Sequence, residues 1–256
     1  MARSRKSTAV KPAKATTLPD RGESKTVTDY VYRRIRGDIL VGNLQPGVKL
    51  KVETLRHQYG VGINSLREAL VRLAADGLVI AEGQRGFTVL PVSIADLKDI
   101  TSMREALECL ALRRAIEYGD IEWEAGIVAA YHKLSRAESL LEQDKERHAL
   151  EWEERNREFH SALIAACQSR WLLHFQTILY DQSQRYRMLS LTDKAIPRDE
   201  QHQEHRRLME ASLARDADRA ADLLKQHISK AAEGLRVETG EPRNERRHPL
   251  KAARIA

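Results

Sequence analysis

Cysteine and long apolar runs are both scarce in this chain of 256 residues. Its two cysteines, Cys109 and Cys167, lie within stretches of apolar periodicity. They indicate buried free thiols in a reducing compartment, with one disulfide as the alternative. The apolar stretches are short, such as 162–167, and a helix needs roughly 20 residues to cross a bilayer. The basic N-terminus is not followed by the apolar segment of a secretory signal. Together these absences predict a cytoplasmic protein without a membrane span.

Acidic residues do not balance the basic ones, and the formal net charge is +6. A basic chain favours a nucleic-acid partner, but only if the charge lies where the partner binds. Residues 1–25 carry seven Lys or Arg against two Asp or Glu, and residues 235–256 carry six against three. Residues 26–92 have a net charge of +3, which leaves 93–234 at −5. The excess is therefore mostly at the two ends, and it is weaker evidence for DNA than the order of predicted elements.

Changes in composition, together with Pro91, divide the chain into four segments. Residues 1–25 lack apolar periodicity and are predicted to be a disordered basic arm. Residues 26–92 alternate helical patterns with short β-prone runs, 93–236 are nearly all helical, and 237–256 are predicted to be a basic flexible tail. The predicted fold class is mainly α, with an N-terminal winged helix-turn-helix followed by an all-α bundle of six to seven helices.

The element order in 26–92 is that of a winged helix-turn-helix. After a first helix, two short helices are predicted at 52–59 and 64–76, separated by a Gly-Val-Gly turn. Two β-prone runs at 78–80 and 87–90 flank a glycine-bounded tip, which predicts a hairpin. In this architecture the second helix of the pair offers its N-terminal side chains to base edges in the major groove.

This geometry makes several residues candidates for DNA contact. Asn64, which is also the predicted N-cap, Ser65 and Arg67 begin the second helix and could meet base edges. Arg33 on the first helix could reach phosphates, as could Arg34, Arg36, Lys49 and Lys51. Gln84, Arg85 and Gly86 form the tip of the hairpin, where Arg85 could enter a minor groove. From the residues alone, solvated surface arginines and a protein-binding winged helix stay open as alternatives.

Three histidines and an asparagine stand out in the predicted bundle, whose helices we expect at 93–118, 121–143, 146–168, 170–191, 199–214 and 216–236. Asn156 and His160 are four residues apart and share one helix face. His205 and His227 lie on two later helices, where an antiparallel hairpin could bring them together. Three imidazoles and one oxygen ligand suit zinc or nickel. The alternative is that these histidines are scattered over the surface or the core.

The stretch 32–90 resembles the DNA-binding domain of GntR-type bacterial regulators. The resemblance is carried by "RRIRGDILVGNLQPGVKL", "YGVGINSLREALVRLAADGLV" and "GQRGFTVL". Gly62, Ile63 and Ser65 stand where that family usually has Ser, Arg and Pro. Because Ile63 removes a common base contact, the operator sequence cannot be copied from relatives. The resemblance implies a DNA-binding regulator, here a repressor, that reads a pseudo-palindromic double-stranded operator as a homodimer.

Residues 93–236 resemble the all-helical FCD effector domain of the FadR branch of that family, which binds ligands and dimerises. The matching text is "MREALECLALRRAIE", "NREFHSALIAACQS" and "EHRRLMEASLARDADRAADLLKQHI". The resemblance implies a divalent metal, zinc or nickel, held by His160, His205 and His227. Asn156 stands where an Asp is usual, so the site has one negative charge fewer. A phrase shared with carbon-starvation, glutarate-type regulators is a lead towards a dicarboxylate.

The same resemblance implies that Arg104 points into the metal cavity and binds a small organic acid, with Arg185 as a further pocket residue. From spacing alone, Arg104 would instead be a helix-surface residue paired with Glu108. Two other functions stay open. The metal could be purely structural, or the bundle could be a metal-dependent hydrolase fused to a DNA tether. Against a hydrolase, no nucleophile elbow, phosphate loop or dinucleotide motif is present, and Glu158 and Glu204 are expected to point away from the ligands.

Overall fold

Helices dominate the computed structural model, which describes residue 24 and residues 26–83, 86–190 and 198–239. The chain separates into two compact units, one formed by residues up to 39 with 43–89, the other by 40–42 with the chain from 90 onwards. In chain order the elements are α1 Val27–Leu40, β1 Lys49–Leu50, α2 Val52–Tyr59, α3 Ile63–Ala75, β2 Val79–Ala81, β3 Phe87–Val89, α4 Ile94–Tyr118, α5 Ile121–Gln143, α6 Lys145–Ile164, α7 Arg170–Ser190, α8 Arg198–Leu213 and α9 Ala217–Thr239. The mainly α fold class with an N-terminal winged helix-turn-helix is confirmed.

The helix pair of the first unit is joined by a tight turn. Gly60 ends α2 in the left-handed conformation, at φ 63°, and its N–H donates to the Arg56 carbonyl oxygen. Such a φ favours glycine because a Cβ would be strained there. The predicted N-cap of α3 was wrong. Gly62 is the N-cap, in extended conformation, and Asn64 is already the second residue of the helix. The reason is that the Gly62 carbonyl accepts from the Leu66 N–H, at 3.1 Å, so the helix begins earlier than predicted.

The wing has three strands rather than the two predicted. The order is β1-β3-β2, with Thr88 of β3 opposite Lys49 on one side and Ile80 on the other. Backbone bonds extend this pairing before β1, because Val89 N–H donates to the Val48 carbonyl oxygen at 2.9 Å. A two-residue strand is too short to show an alternating pattern, so the sequence contained no signal for β1. The core beneath the sheet is apolar and buried, and it includes Ile35, Leu66, Leu70, Leu73, Leu78 and Val89.

Six helices, α4 to α9, form the second unit of the described chain. Ser93 caps α4 by accepting from the Asp96 N–H at 3.1 Å, and Asp120 and Asp144 cap α5 and α6 in the same way. The predicted helix 146–168 was too long, since α6 ends at Ile164. A turn follows, and Gln168 there has a φ of 52°, which a helix cannot accommodate. The boundaries of the other five helices lie within three residues of those predicted.

The helices of this unit pack around one apolar core. Helix α4 contacts α7 and α9, α5 contacts α6 and α8, and α8 contacts α9. Trp123 on α5 anchors the α5–α6 contact, because its indole N–H donates to the carbonyl oxygens of Ala162 and Leu163 at the end of α6. Neighbouring core side chains include Ile127, Leu134, Phe159, Leu163 and Leu224, all 0–1% exposed. This arrangement turns one face each of α4, α6, α7, α8 and α9 towards the unit's interior.

Both cysteines are free thiols, and the alternative of a disulfide between them is excluded. Cys167 is buried and Cys109 is half-buried. Burial raises the pKa of the Cys109 thiol to about 11, with Glu108 adding to the effect. None of the helices in the described part of the chain could span a bilayer.

Two glycines beside or within α5 predict opposite effects of the same substitution. A Cβ on Gly119 would lie 2.5 Å from Trp123 Cδ2 and 2.6 Å from the Ala115 carbonyl oxygen. We expect Gly119→Ala to lower the free energy of unfolding by about 1–3 kcal/mol, since part of the core must shift. Gly126 lies inside α5, and a Cβ added to it would have no other atom within 4 Å. Gly126→Ala should raise stability by about 0.5–1 kcal/mol. Urea unfolding of both variants checks the pair, and equal shifts of one sign would contradict the packing described.

Candidate functional site

The N-terminal turn of α3 presents a polar face to solvent. Asn64 and Arg67 are exposed and Ser65 is half-buried. The opposite face of the helix is fixed in the core by Leu66, Ala69, Leu70 and Leu73. Glu68 ties α3 to α1, because its carboxylate accepts from the Thr28 hydroxyl at 3.1 Å. The helix is thus held from behind, with Asn64 and Arg67 free of the core on its outer side.

The other predicted DNA contacts differ in how the structure places them. Arg33 is about half exposed and forms an ion pair with Asp29 at 3.1 Å, one turn earlier on α1. Gln84 and Arg85 lie outside the described residues. Gly86 follows them in sequence, just before β3, with a φ of 99°, and its carbonyl oxygen accepts from the Glu82 N–H at 2.8 Å. A side chain would be strained at this φ, so Gly86 shapes the wing through its backbone.

The bundle brings three of the predicted histidines together. His160 lies on α6, His205 on α8 and His227 on α9, and all three are buried. The ring centroids are 4.7 Å apart for His205 and His227, 5.2 Å for His160 and His227, and 5.9 Å for His160 and His205. Each ring offers one nitrogen to a set whose members lie within 4.8 Å of one another. This spacing suits a single metal ion between three imidazoles.

Two glutamates orient two of the rings. Glu138 on α5 contacts Nδ1 of His205 at 2.8 Å, and Glu204 on α8 contacts Nδ1 of His227 at 2.8 Å. Because an ionised carboxylate only accepts hydrogen bonds, Nδ1 is the donor in both rings, and Nε2 is the nitrogen left to face a metal. Glu204 was expected to point away and does not. Glu158 does point away, towards Arg155 at 2.6 Å. Glu138 was missed because it lies far from either histidine in sequence.

The protonation states in the cluster favour metal binding. Burial, the neighbouring histidines and the nearby Arg104 and Arg187 guanidiniums hold the pKa of His160 well below its usual range. Burial likewise lowers the pKa of His227 to about 4, against the opposing effect of Glu204. Burial raises the pKa of Glu204, but hydrogen bonds with His227 and Lys230 outweigh it and bring the value to about 2. The imidazoles of His160 and His227 are therefore neutral at pH 7, as a metal ligand must be.

Three buried polar atoms have no hydrogen-bond partner among the described residues: His205 Nε2 and His160 Nδ1 in the cluster, and Oδ1 of Asn156, one turn before His160 on α6. The amide nitrogen of Asn156 donates to the Tyr180 hydroxyl at 2.8 Å, which fixes the side chain on its other side. An unpartnered buried acceptor costs about 1–3 kcal/mol. A cation bound to Nε2 of His205 and Oδ1 of Asn156 would remove that cost for both atoms. The donor set, three imidazoles and a neutral oxygen, fits a divalent metal of the zinc or nickel type.

The family resemblance placed Arg104 in the interior, and its spacing predicted a pair with Glu108. Arg104 is both buried and paired with Glu108. Its guanidinium donates to the two Glu108 carboxylate oxygens at 2.6 and 3.3 Å and to the Ser183 hydroxyl at 3.1 Å. Arg187 donates to the same hydroxyl at 2.7 Å and to the Glu153 carboxylate at 2.6 and 3.2 Å. A chain of buried charges therefore runs beside the histidines, neutralised pair by pair.

Arg185 does not belong to this chain of charges. Its guanidinium donates to the carbonyl oxygens of Leu90 and Pro91, at 2.7 and 2.9 Å, and to Gln182 on its own helix. These contacts tie α7 to the segment before α4 and correct the expectation of a pocket residue. The reason is helix geometry: residues two positions apart lie on nearly opposite faces, and Arg187 shares the face of Ser183.

Each of the two units matches a known protein family. Residues 27–89 match the gntR family of bacterial regulatory proteins, and residues 99–230 match the FCD domain. This chain belongs to the GntR family, in its FCD-containing, FadR-like subfamily. It is therefore a DNA-binding transcriptional regulator, and the proteins it resembles are regulators rather than enzymes, which removes the hydrolase alternative.

Individual relatives agree with the family. The chain is 41% identical over 212 residues to the uncharacterised HTH-type transcriptional regulator BphR of Paraburkholderia xenovorans, covering 83% of this chain and 86% of that one. It is 37% identical to the HTH-type transcriptional repressor GlaR of Escherichia coli, covering 77% and 90%. Among solved structures, Escherichia coli McbR/YncC superposes with a TM-score of 0.68 at 23% identity, over 83% of this chain and 98% of that one. That likeness supports the fold.

Proposed function

We propose that this GntR regulator is a repressor whose operator binding is weakened by a small carboxylate at a metal site in its FCD domain. The observation that carries the proposal is the buried cluster of His160, His205 and His227, beside the buried guanidinium of Arg104. Among the described residues, Nε2 of His205 and Oδ1 of Asn156 have no hydrogen-bond partner. A purely structural core has no need for unpartnered polar atoms at its centre. A ligand-binding core has such atoms, because the bound ligand supplies their missing partners.

The metal would be held by His160, His205 and His227, with the amide oxygen of Asn156 as a fourth ligand. A divalent ion of this type, which can expand from four to five ligands, would supply a Lewis acid for an oxygen of a small acid. Asn156 is neutral, so this ligand set brings no negative charge of its own. The neutral set favours an anionic effector, since the charge of the ion is otherwise balanced only by carboxylates farther out.

Arg104 would bind the other end of the effector. Among the described residues, Glu108 and Ser183 take three of its N–H groups, and a guanidinium has five. A carboxylate can therefore join this group or displace Ser183 from it. Arginine is suited to that task because its planar fork matches a carboxylate with two parallel hydrogen bonds.

The DNA-binding half would act through α3. Asn64, Ser65 and Arg67 would contact base edges, while Arg33, Gln84, Arg85 and the backbone at Gly86 would contact phosphates or a minor groove. Two copies of the chain, as a homodimer, would read a pseudo-palindromic double-stranded operator. The effector would act only through a different affinity for the DNA-bound and free arrangements. The relatives named as repressors, including GlaR, support repression as the sign of control.

A structural metal with no effector is the second candidate. The observation in its favour is that Arg104 is already paired bidentately with Glu108. A melting-temperature screen of di- and hydroxycarboxylates, with and without zinc or nickel, separates the two. Under our proposal at least one acid raises the melting temperature, and it does so only when metal is present. A structural metal predicts stabilisation by metal alone and no further shift with any acid.

A further inference from the structure

Among the described residues, two of the three clustered histidines have an outer carboxylate partner and the third, His160, has none. Glu138 and Glu204 each contact Nδ1 of their histidine at 2.8 Å. Nδ1 of His160 is buried and has no hydrogen-bond partner among the described residues. Carboxylates in this outer position fix the tautomer and tilt of a ligating imidazole and raise its basicity. A third carboxylate, at Nδ1 of His160, would leave Nε2 as the nitrogen that faces the ion in all three rings.

Glu108 is the carboxylate in reach of that nitrogen. Its Oε2 lies 3.9 Å from His160 Nδ1, and both side chains are 2% exposed. This is about 1 Å beyond a hydrogen bond. The cause is on the other side of the carboxylate, where the Arg104 guanidinium holds both oxygens, at 2.6 and 3.3 Å. Glu108 therefore lies between the arginine and the histidine cluster, and among the described residues its hydrogen bonds go to the arginine.

We propose that Glu108 is a positioning residue of the metal site, shared between Arg104 and His160. With a metal present, Glu108 accepts from Nδ1 of His160 and orients that ring as Glu138 and Glu204 orient theirs. The inference rests on the proposed metal site and adds a residue to it. It also gives metal and effector a physical link, because Glu108 lies between the guanidinium that would bind the effector and a histidine that would bind the ion.

Glu153 provides a matched control. It is as buried as Glu108, at 2% against 1% exposed, and it too is held bidentately by an arginine, Arg187. Among the described residues, Glu153 is paired with Arg187 and not with a histidine. Losing either glutamate removes one buried charge and one ion pair, so the two variants share their general cost. They differ only in whether the lost carboxylate can reach the cluster.

The test compares Glu108→Gln, Glu153→Gln and Glu138→Gln with the wild-type chain. Affinity for Zn²⁺ is measured by competition with a chromophoric chelator, and the d–d absorption of bound Co²⁺ reports ligand geometry. We expect Glu108→Gln to weaken Zn²⁺ binding by about 10- to 100-fold, as Glu138→Gln should, since outer partners of ligating histidines have effects of this size. The Co²⁺ bands should change in Glu108→Gln. Glu153→Gln should stay within about threefold of wild type and keep its spectrum.

Removing whole ion pairs keeps the test decisive if a single variant does not fold. Arg104→Gln/Glu108→Gln and Arg187→Gln/Glu153→Gln each delete both partners, so neither leaves a buried charge unpaired. Only the first should lose Zn²⁺ affinity. Equal affinities and spectra in the two double variants would overturn the role of Glu108 and leave the metal site standing. A wild-type chain that takes up no Zn²⁺, Ni²⁺ or Co²⁺ would overturn the proposed metal site, and this inference with it.

Discussion

His205→Ala is expected to abolish high-affinity metal binding by the regulator. His205 is fully buried, its Nε2 has no partner among the described residues, and Glu138 fixes its ring. A structural zinc site contributes about 10–16 kcal/mol, so one of four ligands is worth roughly 2.5–4 kcal/mol, about 60- to 700-fold in affinity. With metal at about 100 times the wild-type Kd, the variant should also lose most of a stabilisation of about 2.7 kcal/mol. Metal content after dialysis, and melting with and without metal, measure both effects.

His132→Ala is the matched control for this prediction. His132 is exposed on α5 in the same unit and is not one of the clustered histidines, so its loss should change neither metal content nor the metal-dependent melting shift. The difference between holo and apo melting temperatures is the quantity to compare, because it cancels the packing cost of the alanine. If His205→Ala retained one equivalent of metal with an unchanged shift, the three-histidine site would be wrong.

Arg67→Ala should remove specific recognition of the operator while leaving the fold intact. The side chain is exposed on the first turns of α3, and the buried face of that helix does not use it. An arginine that binds a guanine with two hydrogen bonds contributes about 1–3 kcal/mol of discrimination, or roughly 5- to 150-fold in affinity. Fluorescence anisotropy with labelled operator and with scrambled DNA of the same length measures specific and non-specific binding separately.

Arg206→Ala controls for the loss of one positive charge. Arg206 is exposed on α8 and paired with Glu210 at 2.9 Å, so removing it changes the net charge equally without touching the winged helix. We expect the ratio of specific to non-specific affinity to fall for Arg67→Ala and to stay constant for Arg206→Ala. A fall in both affinities by the same factor would show that Arg67 contacts phosphate instead of a base edge.

The helical architecture was accessible from sequence because apolar residues recur at the period of a helix. Five of the six bundle helices began and ended within three residues of the prediction. The errors came from local geometry that the apolar pattern does not report. The end of α6 depends on the left-handed Gln168, and β1 exists only because its two residues pair with β3.

The histidine set was likewise accessible, but only through family resemblance, since spacing alone left scattered histidines as the alternative. The residues that orient the set were harder to find. Glu138 reaches His205 from a helix 67 residues away in sequence, so only the packing of α5 against α8 reveals it. The predictions for Arg185 and Glu204 were wrong and could have been avoided. Arg185 lies on the face of α7 opposite Arg187. Glu204 is the residue next to His205, so the helix pair that brings His205 to His227 brings Glu204 close to His227 as well.

Operator affinity tests most directly whether a carboxylate and a metal act together on DNA binding. The measurement is the Kd of the zinc- or nickel-loaded chain for labelled operator, with and without the acid selected by the melting screen. Apo protein and His205→Ala serve as controls. We predict that the acid weakens operator binding of the metal-loaded chain by at least about tenfold, as a coupling free energy of about 1–3 kcal/mol allows, and has no effect on either control. An operator Kd that is the same with and without the acid, or that shifts equally in His205→Ala, would contradict this mechanism.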